Sequence, residues 1–163
     1  MLKVAVIMGS ESDRGIVERS LPYLEYFGLG WEVHVLSAHR TPDAVAEFAG
    51  SLVPEGYFCV IAAAGMANHL AGTIAARTTL PVIGLPLPGG MMDGLDSLLS
   101  TVQMPGGVPV ATVSVGKAGA VNAAVFAARI ASCFDTTVGE KLRKFADSGY
   151  RPVSYTHLRA HET

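Results

Sequence analysis

The chain has 163 residues, half of them apolar, and a formal net charge of −2 at pH 7. This length and apolar content predict one globular domain with a substantial hydrophobic core. Lys and Arg together number 12 against 14 Asp and Glu and form no basic run, so the composition argues against nucleic-acid binding. We expect no membrane span, because no apolar run reaches about 18 residues, and a cytoplasmic protein, because the N-terminus lacks a secretion-signal pattern.

The two cysteines, Cys59 and Cys133, lie in apolar segments and have no spacing typical of a metal or redox motif. We predict that both are buried thiols in a reducing compartment rather than partners in a disulfide. His34, His39 and His69 do not form the short-spaced pair that is typical of zinc sites. No metal site is therefore expected.

Residues 153–163, VSYTHLRAHET, differ sharply from the Ala-, Gly- and Val-rich sequence before them. One reverse translation of this segment resembles a transposon adapter used in shotgun sequencing. We therefore expect one native domain over residues 1–152 and a non-native tail over 153–163. The alternative is an ordinary polar C-terminal tail, and with either origin His157 and His161 carry no functional prediction.

Short, continuously apolar runs alternate along the chain with segments of helical periodicity. The predicted strands cover residues 2–8, 31–36, 58–63, 81–85 and 108–115. The predicted helices cover residues 12–27, 43–52, 67–77, 94–102, 121–134 and 138–146. This alternation predicts an α/β fold in which helices cover both faces of a parallel sheet.

Three of the predicted helices have features of their own. Pro22 should kink or split the first helix. Thr41 is the expected N-cap of the second, with Pro42 at its first position. The helix over residues 121–134 is apolar almost all round, so we expect it to be buried on all sides, between subunits.

In parallel α/β sheets, ligands bind beyond the carboxyl ends of the strands, where loops lead into helices. The loop over residues 9–13 offers a glycine, two hydroxyls from Ser10 and Ser12, and free amides for a phosphate. Asp13 could accept hydrogen bonds from ribose hydroxyls. The alternative is that Ser12 or Asp13 is only a helix N-cap. The loop matches neither the Walker A nor the G-x-G-x-x-G pattern, which argues against ATP and NAD.

The loop over residues 37–41 contains Ser37, Ala38, His39 and Arg40. Arg40 can pair with a phosphate, and the adjacent His39 can exchange a proton near neutral pH. Together they suggest a phosphorylated substrate from which a proton must be moved. The alternative is that His39 bonds a backbone carbonyl and Arg40 is an ordinary surface charge.

The third loop contains small residues, among them Ala64 and Gly65, and reaches His69 at the start of a helix. Small residues there suggest that a ligand passes close to the backbone, and a helix start tends to keep an imidazole neutral. His34 lies in the middle of a strand and is predicted to be a packed or partly exposed neighbour. Nucleophilic catalysis has little support, because no G-x-S-x-G elbow occurs and neither cysteine ends a predicted strand.

Several motifs in these loops belong together. They are MGSESD at residues 8–13, SAHRTPD at 37–43, NHLAG at 68–72, GLDSLLSTVQMPGGVPVATV at 94–113 and GKAGAVNAA at 116–124. In order and spacing they resemble the class I N5-carboxyaminoimidazole ribonucleotide mutases of bacterial purine biosynthesis. The resemblance extends from Val4 to about Ala146.

The resemblance implies a flavodoxin-like three-layer sandwich with a central parallel sheet, assembled as a homo-octamer with sites shared between subunits. It also implies conversion of N5-carboxyaminoimidazole ribonucleotide to 4-carboxyaminoimidazole ribonucleotide, with no metal or organic cofactor. By position, Ser10 and Arg40 match residues that bind the substrate phosphate, and Asp13 one that binds the ribose. His39 matches the catalytic histidine, and His69 a histidine near the transferred carboxylate.

The other residues of these loops that we expect to bind substrate are Ser12, Ser37, Ala38, Ala64 and Gly65. Small residues in the third loop would let the backbone close over released carbon dioxide and exclude water. A histidine could then give a proton to the ring nitrogen and remove one from the ring carbon.

The sequence also departs from the family pattern. The loop over residues 86–94 lacks the usual serine and has Gly89 in its place. Contacts from that loop to substrate are therefore backbone contacts or absent. The third loop has Met66, Asn68 and Ala71 where Gly, Ala and Pro are common. The family's C-terminal helix packs on a neighbouring subunit, and here its end is replaced by the adapter-like segment.

Two other functions stay open at this point. A class II enzyme would carboxylate aminoimidazole ribonucleotide directly with carbon dioxide, although His69 and the Gly-Lys-Ala-Gly run favour class I. A flavodoxin-like carrier could bind the phosphate of FMN in the first loop, but no paired aromatic residues are placed to enclose a flavin. A phospho-acceptor domain is set aside, because the third strand ends in Ala63 and Ala64 rather than Asp.

Overall fold

The computed structural model of the chain describes residues 1–152. The tail predicted over residues 153–163 lies outside the described residues. Within the described part, none of the helices is both long enough and apolar enough to cross a membrane.

A parallel sheet of five strands forms the centre of the molecule, in the order β2-β1-β3-β4-β5. The strands are β1 (Lys3–Met8), β2 (Gly30–Val35), β3 (Tyr57–Ala64), β4 (Val82–Pro86) and β5 (Ala111–Thr112). The three central strands are almost entirely buried, as the continuous apolar runs predicted. This strand order is that of flavodoxin-like proteins.

Helices cover both faces of the sheet. They are α1 (Arg14–Val17), α2 (Leu21–Phe27), α3 (Pro42–Ser51), α4 (Leu70–Ala75), α5 (Leu95–Val102), α6 (Lys117–Ala131) and α7 (Thr136–Asp147). Alternate residues of β1 enter different cores: Val4 and Val6 pack in the core with α1, α2, α6 and α7, whereas Ala5 and Ile7 pack in the core with α3 and α4. The predicted flavodoxin-like three-layer α/β fold is confirmed.

The first predicted helix is divided, as Pro22 suggested. A 3-10 turn at Glu18–Ser20 separates α1 from α2, and Pro22 lies in the first turn of α2. A proline is tolerated there because the first amides of a helix have no partner within it. Gly28 follows α2 in the left-handed conformation and ends it.

The fifth strand is shorter than predicted. A strand was expected over residues 108–115, but only Ala111 and Thr112 pair with β4. The reason is local: Pro109 has no amide proton to donate, and Gly107 before it adopts a positive φ. Hydrogen bonds from Val113 N to Gly84 O and from Gly116 N to Pro86 O still hold the following segment against β4.

The helix predicted over residues 67–77 begins later and ends earlier, as α4. Met66 has a left-handed backbone with φ of 51°, which interrupts a helix at that point. Residues 67–69 form the approach to α4, with His69 as its N-cap. The helical pattern was therefore right for the core of the segment and wrong at both ends.

The helix predicted over residues 121–134 runs from Lys117 to Ala131, and within the single chain one of its faces is buried. Its expected burial between subunits stays a prediction. Its buried face consists of small residues, Gly119 and six alanines, packed on the sheet. The opposite face leaves Phe126 partly exposed, and Phe134 lies exposed beyond the helix. Cys133 is also exposed, because it falls after the last helical turn, so its predicted burial is wrong, whereas that of Cys59 is confirmed.

Candidate functional site

A cavity of about 400 Å³ opens at the carboxyl ends of the strands. The strands end level there, since Met8 pairs with Val35 on one side and with Ala63 on the other. Loops that follow β1, β2, β3 and β4 line the cavity. The position agrees with the rule for ligand sites in parallel α/β sheets.

All of the predicted site residues line this one cavity. They are Ser10, Ser12, Asp13, Ser37, Ala38, His39, Arg40, Ala64, Gly65 and His69. The cavity thus joins hydroxyls, a carboxylate, a guanidinium and two imidazoles that come from three separate loops. Their individual roles remain predictions.

The first loop is organised by Ser10. Its hydroxyl accepts hydrogen bonds from the Ser12 hydroxyl at 2.9 Å and from the Ser12 amide at 3.4 Å. The Ser10 carbonyl accepts from the Asp13 amide at 3.1 Å. These bonds turn the chain tightly after β1 and keep Ser10, Ser12 and Asp13 together. Ser10 is therefore the N-cap of the 3-10 turn at Glu11–Asp13, and not only a ligand candidate.

Asp13 has an unusual protonation equilibrium. Partial burial raises the pKa of its carboxyl above the ordinary value of 3.8, and hydrogen bonds from the Ser10 backbone and the Ser12 side chain oppose that rise. None of the ion pairs among residues 1–152 gives this carboxylate a cation. A half-buried carboxylate without a cation is well suited to accept hydrogen bonds from a neutral donor such as a hydroxyl.

The second loop is closed by a ring of hydrogen bonds between Ser37 and Thr41. The Ser37 amide donates to the Thr41 hydroxyl at 3.1 Å, and the Ser37 carbonyl accepts from the Thr41 amide at 2.8 Å. The Ser37 hydroxyl accepts from the Arg40 amide at 3.2 Å. Thr41 is the N-cap of α3 as predicted, but its hydroxyl bonds Ser37 instead of capping the helix.

The loop conformation leaves the Arg40 guanidinium exposed. None of the ion pairs within the described chain involves it. An unpaired guanidinium beside a cavity can make two parallel hydrogen bonds to a phosphate. The Ser10 and Ser12 hydroxyls line the same cavity.

His39 and His69 form the central contact of the site. Nε2 of His39 lies 2.7 Å from Nδ1 of His69, and the two rings meet edge to face with centroids 4.8 Å apart. Of two imidazole nitrogens at this distance, one carries the proton and the other accepts it. Both histidines are exposed and line the cavity. The pair can therefore pass a proton between a bound ligand and a second base.

The third loop passes close to its neighbours. The Gly9 amide donates to the Ala63 carbonyl at 3.0 Å, and the Leu87 amide donates to the Ala64 carbonyl at 3.0 Å. A Cβ on Gly65 would lie 3.6 Å from the Pro88 carbonyl oxygen. These contacts join the first, third and fourth loops into one floor of small residues.

A fourth loop lines the cavity, although the sequence assigned none of its residues to the site and predicted backbone contacts from it to substrate, or none. Pro88, Gly89 and Gly90 line the cavity through the segment that follows β4. Carboxylates fix this loop: Asp93 accepts from the Gly89 amide at 3.2 Å and Asp96 from the Met91 amide at 3.0 Å. The position directly after a buried strand was the signal that could have found it. Because Gly89 and Gly90 have no side chains, they can contact a ligand only through their backbone atoms.

His34 lies apart from the cavity, as predicted. Its ring packs on Phe48 with centroids 4.4 Å apart and lies within 3.4 Å of the Tyr57 hydroxyl. Burial lowers the pKa of His34, and the carboxylates of Glu32 and Glu55 act in the opposite direction. Within residues 1–152 no group of three or more His, Cys, Asp or Glu is arranged to hold a metal ion.

The chain is similar along most of its length to a known class of enzyme. Residues 3–150 match the family model described as AIR carboxylase, and the chain belongs to that family. The chain is 52% identical over 139 residues to the N5-carboxyaminoimidazole ribonucleotide mutase of Bacillus subtilis, covering 85% of this chain and 86% of that protein.

Two further comparisons agree. The N5-carboxyaminoimidazole ribonucleotide mutase of Saccharolobus solfataricus is 46% identical over 160 residues, which cover 98% of this chain and all of that protein. The crystal structure of PurE from Treponema denticola superimposes with a TM-score of 0.83 at 29% identity, covering 91% of this chain and 92% of that one.

The raised pKa of Asp13 predicts a pH-dependent gain in stability for Asp13→Asn. As pH rises above 3.8, this carboxyl ionises first in the unfolded chain, so its burial disfavours folding increasingly up to its raised pKa and constantly above it. Asparagine removes that penalty. We expect the melting temperature at pH 7 to rise by roughly 2 °C, and the gain to shrink as pH falls towards 4, measured by calorimetry.

Glu11→Gln is the matched control. Glu11 lies in the same turn, but its hydrogen bond with Arg14 lowers its pKa, so its ionised form favours the folded state and neutralising it should not raise the melting temperature at pH 7. Equal melting temperatures for Asp13→Asn and the parent chain at pH 7 would contradict the account of Asp13.

Proposed function

We propose that this protein converts N5-carboxyaminoimidazole ribonucleotide to 4-carboxyaminoimidazole ribonucleotide in de novo purine biosynthesis. The observation that carries the proposal is the contact between His39 and His69 in a cavity that also contains Arg40 and Ser10. Membership of the AIR carboxylase family and identity of 52% to a protein named as this mutase support it. The enzyme class is thus an intramolecular carboxyl transferase.

The substrate's polar groups have complementary partners in the cavity. The phosphate binds Arg40 and the hydroxyls of Ser10 and Ser12, because an unpaired guanidinium and nearby hydroxyls match its charge and acceptor oxygens. Asp13 accepts hydrogen bonds from the ribose hydroxyls. The aminoimidazole ring then extends over Ala64 and Gly65, where side chains are too small to obstruct it.

The reaction needs one proton in and one proton out. Protonation of the substrate nitrogen breaks its bond to the carboxylate and releases carbon dioxide. The ring carbon then attacks the carbon dioxide and loses its own proton. His39 supplies the first proton and, once neutral, removes the second, so the enzyme ends in its starting state. No net proton is consumed.

His69 is the partner of His39 in this cycle. The 2.7 Å contact between their nitrogens fixes the direction of the His39 ring. It also gives the His39 proton an acceptor when the substrate does not hold it. His69 stands at the N-cap of α4, next to the small residues of the third loop where carbon dioxide would be held.

We further propose that the enzyme is a cytoplasmic homo-octamer. Support comes from apolar side chains that a single chain leaves exposed. They are Leu95, Leu99 and Val102 on α5, Phe126 on α6 and Phe134 after it. Exposed apolar surface of this kind indicates contact with another protein surface.

Product formation from two alternative substrates tests the proposed function. One assay contains N5-carboxyaminoimidazole ribonucleotide after free carbon dioxide has been removed, and the other contains aminoimidazole ribonucleotide with bicarbonate. A chelator is present in both, because the family resemblance implies a reaction without metal. We expect turnover in the first assay. Turnover only in the second would contradict the mutase and identify a direct carboxylase, and absence of turnover in both would contradict the family assignment of the activity.

Replacing His39 tests the proton cycle separately. His39→Asn keeps a polar side chain of similar size but cannot exchange a proton, so kcat should fall by at least about 10²-fold while substrate binding persists. Calorimetric titration measures substrate binding, and the assay from which free carbon dioxide has been removed measures turnover. His34→Asn is the matched control and should retain the parent kcat, because His34 lies outside the cavity. Parent-like turnover in His39→Asn would rule out its assigned role.

A further inference from the structure

We propose that Asn68 is a positioning residue: through Thr101 it holds the third loop on α5 and so keeps the His69 ring against His39. This inference rests on the proposed function for its kinetic consequences. Its geometric part concerns only the two imidazoles and the helix that supports one of them.

Asn68 precedes His69 and is almost completely buried, with 1% of its surface exposed. Its side-chain Nδ2 donates to the Thr101 hydroxyl at 2.9 Å, and its backbone amide donates to the Ser100 hydroxyl at 2.9 Å. Thr101 and Ser100 are both on α5. The residue next to His69 is therefore tied twice to one helix.

The direction of these hydrogen bonds requires an amide at position 68. The Thr101 hydroxyl donates its only proton to the Ser97 carbonyl at 2.5 Å. Its oxygen can therefore only accept from residue 68. An asparagine can donate there, whereas an aspartate or a leucine of similar size cannot.

The Thr101 side chain is held in the orientation that this contact needs. A Cβ on Gly84 of β4 would lie 2.4 Å from the Thr101 Cγ2 and 2.7 Å from the Val110 Cγ1. The methyl group of Thr101 thus packs where Gly84 leaves space, and its hydroxyl faces Asn68. Gly84 in the sheet thus positions Thr101, and Thr101 in turn holds Asn68; we call this pair of contacts the Asn68 anchor.

The backbone of the third loop explains why an anchor is needed. Met66 adopts the left-handed conformation, with φ of 51°, which is unfavourable for a residue with a long side chain. Glycine adopts that conformation without this cost. Here the fixed position of Asn68, two residues later, maintains the conformation and the approach to His69.

The anchor also leaves one unfavourable feature. The Oδ1 atom of Asn68 is buried and has no hydrogen-bond partner among the described residues. A buried amide oxygen without a partner disfavours folding. Asn68 is therefore not explained by stability alone, and the contact of its Nδ2 with Thr101 supplies the reason for its presence.

Helix α5 supports the fourth loop as well. The Ser97 hydroxyl lies 2.8 Å from the Leu87 carbonyl oxygen and 2.9 Å from the Gly94 carbonyl oxygen. The third loop, which contains His69, and the fourth loop are thus both held by hydrogen bonds to α5. Loss of the Asn68 contact should move His69 relative to His39 without removing either ring.

Thr101→Val tests the anchor, because valine keeps the shape that packs on Gly84 and removes the hydroxyl that accepts from Asn68. We expect kcat to fall about 10- to 100-fold, as misplacement by about 1 Å produces, with KM within about twofold of the parent value. In ¹⁵N NMR spectra of the free protein, the His39 and His69 ring signals should lose the pattern of a shared proton. Thr101→Ser keeps the hydroxyl and its bond to the Ser97 carbonyl but loses the methyl group, so its kcat and its spectra should both stay closer to those of the parent than the values for Thr101→Val.

Ser20→Ala is the matched control. Ser20 is another buried hydroxyl, bonded to the Val17 carbonyl, and neither residue lines the cavity. Its removal should leave kcat and both imidazole spectra unchanged. Asn68→Ala is a second route to the same loss and should reproduce the Thr101→Val spectra. If Thr101→Val does not fold, Asn68→Ala tests the positioning role instead.

Two results separate failure of this inference from failure of the proposed function. Parent-like kcat and parent-like imidazole spectra in both Thr101→Val and Asn68→Ala, even with a lowered melting temperature, would overturn the positioning role. A parent protein inactive on N5-carboxyaminoimidazole ribonucleotide would overturn the proposed function, and the imidazole spectra of the variants would still decide whether Asn68 positions His69.

Discussion

The level ends of the parallel strands are the constraint on which this site depends. Met8 of β1 is aligned with Val35 of β2 and Ala63 of β3, and Ala64 is aligned with Pro86 of β4. The strands β1, β2, β3 and β4 therefore deliver their following loops to the same edge. His39 and His69 are 30 positions apart in the chain, yet their ring nitrogens lie 2.7 Å apart, because β2 and β3 both flank β1 and end at its height.

Small residues make that convergence possible. Alanines at the end of β3 and glycines in the loops let four chain segments meet around one cavity. Gly84 of β4 acts in the same way between the sheet and α5, since it leaves space for the methyl group of Thr101. In this account, chemistry depends on two imidazoles, and their relative position depends on close backbone packing beneath them.

Much of the fold could be predicted from the sequence because its signals are local. Continuous apolar runs bounded by glycine indicated buried parallel strands, and the residues after each strand indicated the site. The division of the first helix followed from Pro22 alone. The loops after the first three strands were predicted to contain the site residues, and those residues do line one cavity.

The differences arise where tertiary contacts decide the structure. The left-handed Met66 delays α4, and no local pattern signals that conformation in a methionine. The fifth strand is limited by Pro109 and by having a neighbour only in β4. Cys133 was assigned to the interior from apolar neighbours, but Phe134 beside it is exposed as well. The Asn68 anchor joins residues more than 30 positions apart in the chain, which sequence spacing cannot reveal.

The central claim is that the carboxyl group moves from nitrogen to carbon within the site, without exchange with carbon dioxide in solution. The most direct test uses N5-carboxyaminoimidazole ribonucleotide with a ¹³C-labelled carboxyl group in an excess of unlabelled bicarbonate, kept in equilibrium with dissolved carbon dioxide. Mass spectrometry of the 4-carboxyaminoimidazole ribonucleotide then reports the origin of its carboxyl carbon. The account predicts product that retains the label, and product with the isotopic composition of the surrounding bicarbonate would contradict it.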